Sequence, residues 1–75
     1  MDQHIDIGKA IYNELQRQEC GVSWLANKLN ISRMACYRMF NSYSIDTELL
    51  YRVSKVLDYD FFALYSANLK CKIQD

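Results

Sequence analysis

The chain almost lacks the two residues that most often interrupt helices. Its 75 residues include no proline and only two glycines, Gly8 and Gly21. Relative to alanine, proline costs a helix interior about 3 kcal/mol and glycine about 1 kcal/mol. Hydrophobic residues make up 51% of the chain, and no stretch sustains the period-two alternation that is typical of strands. We therefore predict a single all-α domain over residues 1–75.

Five helices are expected from apolar residues that recur every three or four positions. Ser32 and Asp46 are suited to cap the third and fourth helices, and either Gly21 or Ser23 could begin the second. Gly21 could also close the first helix in a left-handed conformation, and the fifth helix starts after Asp60. The predicted ranges are 6–18, 22–29, 33–41, 47–57 and 61–66.

These helices would bury one apolar side each and keep charged pairs outside. Glu14 with Arg17, and Glu48 with Arg52, are spaced to pair on exposed faces. The ordered core is expected over residues 6–66, and the tail either prolongs the last helix or frays. The predicted core consists of Ile7, Ile11, Leu15, Leu25, Leu29, Ile31, Cys36, Met39, Phe40, Leu49, Leu50, Val53, Leu57, Phe61, Phe62 and Leu64.

Cysteine usage narrows the function classes. Cys20, Cys36 and Cys71 form no C-x-x-C pair, so we expect no disulfide and a reducing, cytoplasmic location. No secretory leader or apolar run of about 20 residues is visible, so no membrane association is expected. His4 has no partners at zinc-ligand spacing, and Cys36 has no neighbouring base. We therefore predict no metal, cofactor or small-molecule ligand, and no enzyme activity.

The charges are unevenly distributed, although the formal net charge is +0. No acidic residue lies between Glu19 and Asp46, whereas Lys28, Arg33 and Arg38 all fall in that interval. A neutral domain can still present one basic surface to a polyanion. The interval is therefore a candidate for nucleic-acid contact, even though DNA-binding domains are often basic as a whole.

Within this interval, residues 25–40 have the spacing of two short helices joined by a tight turn. Ala26 is small enough for the two helices to approach closely. Asn30 suits the left-handed conformation that the turn requires, because asparagine adopts it more readily than most residues. Ser32 would then begin the next helix as its N-cap. The spacing therefore predicts a helix-turn-helix unit.

The second helix of this unit would turn Cys36 and Met39 inward and leave a defined outer face. Arginine suits bidentate contact with guanine, and methionine can meet the methyl group of thymine. The amino end of the helix would also attract phosphate through its free N–H groups and its positive dipole. The outer face consists of Arg33, Met34, Tyr37, Arg38 and Asn41.

Four stretches carry a family resemblance: VSWLA at 22–26, YRMF at 37–40, SIDTELL at 44–50 and DFF at 60–62. With the turn residues, they resemble the lambda-repressor-like (XRE/Cro) helix-turn-helix superfamily, most closely its short single-domain regulators common in Bacteroidetes. The resemblance covers residues 7–66, nearly the whole chain. The chain departs from the pattern at three places: Asn30 replaces glycine, Cys36 replaces a larger aliphatic residue, and Phe40 replaces a polar one.

The resemblance implies a five-helix lambda-repressor-like bundle whose third helix, 33–41, enters the major groove of DNA. It implies that the protein is a sequence-specific DNA-binding transcriptional regulator. The implied base contacts are Arg33, Met34, Tyr37 and Arg38. The predicted phosphate contacts are Ser23, Lys28, Ser32, Asn41, Ser42, Tyr43 and Ser44.

The alternative is a helical protein-interaction module, antitoxin-like or a dimerising adaptor, that does not read DNA. Arg33 and Arg38 would then be solvated surface charges, and Met34 would belong to a protein contact. Trp24 is expected in either case as a core or half-buried anchor, given the area a tryptophan must bury.

A stripe along the last helix bears on the choice between the two hypotheses. If that helix continues, this apolar stripe would be exposed on a monomer and would favour binding to another protein chain. A weak or DNA-induced homodimer would help a small domain to bind DNA, because two half-sites are gripped together. The stripe consists of Phe62, Tyr65, Leu69 and Ile73.

Overall fold

A computed structural model of the protein describes residues 5–73 and, within them, five α-helices and no strand. The predicted all-α, five-helix fold is thus confirmed. Helix α5 differs from its predicted range because it continues beyond residue 66, which is one of the two alternatives for the tail. His4 and the side chains of Cys71 and Ile73 lie outside what is described. The helices are α1 (Ile7–Arg17), α2 (Val22–Leu29), α3 (Arg33–Phe40), α4 (Thr47–Leu57) and α5 (Phe62–Ile73).

Side-chain caps explain where most of the helices begin. Ser32 and Asp46 act as predicted, accepting hydrogen bonds from the N–H groups of Ala35 (3.0 Å) and Leu49 (3.1 Å). Asp6 and Asp60 do the same for α1 and α5, each at 3.2 Å. The N-cap of α2 is Gly21, which provides no side-chain hydrogen bond, and this settles the choice between Gly21 and Ser23.

In residues 5–73, three helices end next to or on a residue in the left-handed conformation. Asn30 takes this role as predicted, with φ 60° and ψ 44°. Glu19 (φ 58°) and Asp58 (φ 53°) take it after α1 and α4. The expectation that Gly21 closes α1 is wrong, because its φ is −91°. Helix α1 ends early enough for the left-handed position to fall on Glu19, and the chain is already extended at Gly21.

The core lies where α1, α2, α3 and α4 meet and is closed by Phe61, just before α5. Two predictions of burial are wrong: Phe62 is 38% exposed and Trp24 is 39% exposed. Of the two consecutive phenylalanines, Phe61 enters the core and Phe62, the first residue of α5, lies outside it. Ile31, Phe40, Leu49 and Leu64 are half-buried at its edge. The buried apolar residues are Ile7, Ile11, Leu15, Leu25, Ala26, Leu29, Cys36, Met39, Leu50, Val53, Leu57 and Phe61.

Gly8 marks the place where α1 crosses the last turn of α3. Its N–H donates to the carbonyl oxygen of Ser42 at 3.0 Å. A Cβ atom at this position would overlap backbone atoms of Met39 and Phe40, including the Phe40 carbonyl carbon at 2.7 Å. Glycine is therefore required here by the close approach of two backbones, and this approach fixes α3 against the body of the domain.

Glu14 joins α1 to the end of α4, and it is buried instead of lying on an exposed face as predicted. Its carboxylate accepts two hydrogen bonds from Arg17, at 2.9 and 2.6 Å, and one from Gln18 Nε2 at 2.7 Å. The same Gln18 nitrogen donates to the carbonyl oxygen of Leu57 at 2.7 Å. The hydrogen bonds from Arg17 and then Gln18 lower the pKa of Glu14, against the opposing effect of burial.

The predicted pair of Glu48 with Arg52 is not formed. Arg52 instead donates from its guanidinium to the carbonyl oxygen of Leu29, at the carboxyl end of α2. This bond ties α4 to α2 immediately before the helix-turn-helix joint. In residues 5–73, the ion pair that does form is the one between Glu14 and Arg17.

The Glu14 network predicts a stability that depends on pH. A carboxyl whose pKa is lowered by folding stabilises the folded state above its unfolded pKa, here 4.5, and this contribution is lost as the pH falls through the lower folded-state pKa. Glu14→Gln should therefore lose on the order of 1 kcal/mol of unfolding free energy at pH 7, with less difference from the parent at acidic pH. Urea unfolding at pH 7 and pH 3 measures this, with the exposed Glu19→Gln as control. An equal loss at both pH values would contradict the assignment.

Candidate nucleic-acid interface

The joint between α2 and α3 is built from backbone hydrogen bonds around Asn30. Asn30 N–H donates to the carbonyl oxygen of Asn27 at 3.1 Å, and Ile31 N–H donates to that of Ala26 at 3.0 Å. This pair of bonds around a left-handed residue is the Schellman ending of a helix. The chain is extended at Ser32 (ψ 161°), whose cap then starts α3. The joint therefore has the tight geometry that the residue types predict.

Helix α3 separates a buried side from an exposed one. Cys36 is fully buried and Met39 is 4% exposed, as predicted. Met34 and Tyr37 lie on the other side, 69% and 52% exposed. At about 100° per residue, the four predicted base-contacting residues span roughly 140° of the helix circumference, opposite the buried side. Arg33 and Arg38 complete this set, which we call the reading face: Arg33, Met34, Tyr37 and Arg38, all exposed.

The reading face carries positive charge that is not neutralised nearby. Arg33, Arg38 and Lys28 are exposed. The ion pair found in residues 5–73 involves other residues, so none of these three cations is ion-paired in the described part of the chain. Three free cations on adjoining turns of α2 and α3 make this side of the neutral domain attractive to a polyanion.

Two side chains after α3 are engaged with the end of the helix itself. Asn41 Nδ2 donates to the carbonyl oxygen of Tyr37 at 3.0 Å, and Ser42 Oγ donates to that of Arg38 at 2.9 Å. The Asn41 amide keeps a second N–H, but the hydroxyl hydrogen of Ser42 is used. Beyond them, Tyr43 is 70% exposed and Ser44 is also exposed.

An aromatic ladder connects the reading face with α1. The ring of Tyr37 meets that of Phe40 edge to face, with centroids 6.1 Å apart. Phe40 in turn meets Tyr12 edge to face at 5.2 Å. Phe40 thus supports the ring of Tyr37 from behind, which explains an aromatic residue at a position where the resemblance leads one to expect a polar one.

The amino end of α2 presents exposed donors. Ser23 and Trp24 are both exposed. Helix α2 has no side-chain cap, so no capping side chain accepts a hydrogen bond from its first N–H groups. The prediction of Trp24 as a core or half-buried anchor rested on the area that a tryptophan must bury, and its 39% exposure contradicts it. The signal that could have placed it outward is periodicity: Leu25 and Leu29 define the inward side of α2, and Trp24 lies about 120° from the centre of that side, farther than the buried Ala26 at about 80°.

The described residues give little support for cysteine chemistry, metal binding or a membrane-spanning helix. Burial raises the pKa of the Cys36 thiol, which disfavours the reactive thiolate. Within the described residues, no three of the metal-ligating side chains His, Cys, Asp and Glu come together. No helix in this part of the chain is both long and apolar enough to cross a bilayer.

Helices α2 and α3 are short and are joined at a left-handed residue, and α3 presents an exposed basic face. This arrangement defines a helix-turn-helix DNA-binding fold. The helix-turn-helix family HTH_3 matches residues 14–64, which include α2, α3 and α4 in full. The chain belongs to this family of XRE, lambda-repressor-like DNA-binding proteins, and the predicted family membership is confirmed. Neither the curated proteins nor the solved structures gave a match to the chain.

Proposed function

We propose that the protein is a sequence-specific DNA-binding transcriptional regulator that inserts α3 into the major groove and has no enzymatic role. Membership of a DNA-binding helix-turn-helix family supports DNA as the partner. The observation that carries the finer proposal is the reading face, which holds two unpaired, exposed arginines directly opposite the buried side of α3. Helix α3 is about 12 Å long. The major groove of B-DNA is about 12 Å wide and admits an α-helix, so α3 fits within it.

The base contacts are assigned to the reading face. Arg33 and Arg38 are suited to bidentate contact with guanine. Met34, 69% exposed, offers an apolar surface to a thymine methyl group. The ring contact with Phe40 supports the Tyr37 ring, and Tyr37 is 52% exposed.

The phosphate contacts are assigned to the residues around the reading face. At the amino end of α2, Ser23 and the indole N–H of Trp24 are exposed donors. Ser32 accepts from Ala35 through its oxygen and keeps its hydroxyl hydrogen for a phosphate. Because Ser42 has given its hydroxyl hydrogen to Arg38, we assign it to holding the end of α3. The further donors are Lys28, Asn41, Tyr43 and Ser44.

The salt dependence of binding tests this proposal. Each phosphate neutralised by a cation lowers log K by about 0.9 per unit of log[salt] on B-DNA. Titration of a fluorescein-labelled DNA duplex at several salt concentrations should therefore give a steep negative slope. Lys28→Ala should reduce that slope by about 1, as expected for one lost phosphate contact.

Lys9→Ala is the matched control, because Lys9 is an exposed lysine on α1. We expect its slope to equal that of the parent. A flat salt response of the parent chain would contradict the proposal and favour the protein-interaction module.

A further inference from the structure

The aromatic ladder consists of three rings, supplied by Tyr12 on α1 and by Tyr37 and Phe40 on α3. The ring of Phe40 meets that of Tyr12 with centroids 5.2 Å apart and 67° between the ring planes. It meets that of Tyr37 with centroids 6.1 Å apart and 84° between the planes. Edge-to-face pairs at about 4.5–7 Å are attractive, because the positive edge of one ring faces the negative surface of the other. Phe40 is therefore restrained by one tyrosine and restrains the other.

The close crossing of α1 and α3 brings the ladder together. Gly8 lets the backbone of α1 approach that of Phe40. Tyr12 follows Gly8 by four residues and so lies on the same side of α1, one turn further along. Tyr37 precedes Phe40 by three residues, which makes the two neighbours on the surface of α3. The ladder thus links a residue outside the helix-turn-helix unit to the reading face.

This link lies partly outside the family match. The match begins at residue 14, after Gly8 and Tyr12. Phe40, the middle of the ladder, is the residue that departs from the polar one expected by resemblance. Phe40 is half-buried, whereas Tyr37 is 52% exposed. Tyr37 therefore keeps about half of its surface for a ligand while the contact with Phe40 limits its motion.

The orientation of Tyr37 matters for base reading because a tyrosine hydroxyl can both donate and accept a hydrogen bond. An exposed tyrosine can adopt more than one rotamer, and each rotamer carries the hydroxyl to a different place. Immobilising one such side chain on binding weakens affinity by roughly 2- to 12-fold. A side chain that is already held in its bound orientation avoids this loss.

We propose that Tyr12 and Phe40 are positioning residues that hold Tyr37 in the orientation in which it contacts a base. The inference rests on the proposed function and extends it, because it makes a residue of α1 a determinant of sequence specificity. Tyr12 acts through Phe40 and makes no contact with DNA. Removing its ring should therefore weaken binding to the operator and leave binding to unrelated DNA unchanged, since the phosphate contacts that dominate non-specific binding remain.

Fluorescence anisotropy with two labelled duplexes tests the positioning: the operator that the parent chain selects, and an unrelated duplex of equal length. Tyr12→Leu keeps an apolar side chain without the ring and should weaken operator binding roughly 2- to 12-fold. Tyr12→Phe keeps the ring and should bind like the parent. Asn13→Leu is the matched control, because Asn13 is the next residue of α1, is exposed and lies outside the ladder. All these variants should bind the unrelated duplex equally well.

The same substitution in a Tyr37→Leu chain shows whether the effect passes through Tyr37. In that chain Tyr12→Leu should change operator affinity by less than about twofold, because the side chain that it positions is missing. An equal loss with and without Tyr37, or no loss in the parent chain, would overturn the proposal. A Tyr12→Phe variant as weak as Tyr12→Leu, or equal losses on both duplexes, would indicate a direct phosphate contact by Tyr12 and would overturn it too.

Nuclear Overhauser effects between the ring protons of Tyr37 and Phe40 give a second readout in the chain without DNA. They should be clear in the parent, in Tyr12→Phe and in Asn13→Leu, and weaker in Tyr12→Leu. Equal intensities in Tyr12→Leu and the parent would contradict the positioning. A parent chain that enriches no operator contradicts the proposed function and the positioning with it, whereas an operator that Tyr12→Leu binds as tightly as the parent contradicts the positioning alone.

Discussion

Replacing both Arg33 and Arg38 with alanine should abolish most of the specific DNA affinity of this protein. A lost bidentate contact to a base costs about 1–3 kcal/mol, so each single variant should bind roughly 5- to 150-fold more weakly to its operator. If the two contacts add, the double variant should lose about 2–6 kcal/mol. The fold should be unaffected, because both side chains are exposed and alanine is the best helix former.

Fluorescence anisotropy on a selected operator measures this loss, with Lys9→Ala as control because Lys9 is an exposed cation on α1. Arg33→Lys and Arg38→Lys refine the test, since lysine keeps the charge but cannot form the two parallel hydrogen bonds of a guanidinium. Variants that bind the operator as tightly as the parent would show that the reading face is assigned wrongly.

Gly8→Ala should destabilise the whole domain although it adds a single methyl group. The new Cβ would overlap backbone atoms of Met39 and Phe40, which cannot rotate away as a side chain can. Overpacking typically costs about 1–3 kcal/mol, and here it also strains the Gly8–Ser42 hydrogen bond. Alanine gains about 1 kcal/mol in helix propensity, so a net loss of about 2 kcal/mol is expected if the cost lies at the upper end. For a domain of this size that loss is large.

Gly21→Ala is the matched control, because a Cβ there would have open space around it and φ is −91°. Its effect on unfolding free energy should stay within about 1 kcal/mol, since a poorer N-cap is offset by reduced freedom of the unfolded chain. Thermal unfolding of both variants measures the difference. Equal stability of Gly8→Ala and Gly21→Ala would contradict the close crossing of α1 and α3.

The parts of the fold that local chemistry determines could be predicted from the sequence. Ser32 and Asp46 cap helices and Asn30 turns the chain because their own side chains and conformational preferences decide it. Cys36 and Met39 face the core because helical periodicity leaves them no other side.

Features that depend on distant partners could not be predicted. Gly8 is dictated by the backbone of α3, which lies far along the chain. Arg52 could equally pair with Glu48 on its own helix, but the Leu29 carbonyl lies within reach only in the folded domain. Trp24 was misplaced for a related reason: its size favours burial, but the inward side of α2 is already filled by leucines.

The reading face was the part of the candidate site most accessible to sequence reasoning, because one helix supplies it. The apolar stripe on α5 followed from spacing alone, but the packing of its member Tyr65 against the core depends on the fold.

The most direct test of DNA reading by α3 is in vitro selection of the full chain against a pool of random DNA duplexes. We predict enrichment of a defined motif that contains guanine, and a palindromic arrangement of half-sites would indicate that two copies bind together. The same selection with the Arg33→Ala, Arg38→Ala double variant should lose that motif. A parent chain that enriches no motif, or a double variant that enriches the same motif equally well, would contradict the account.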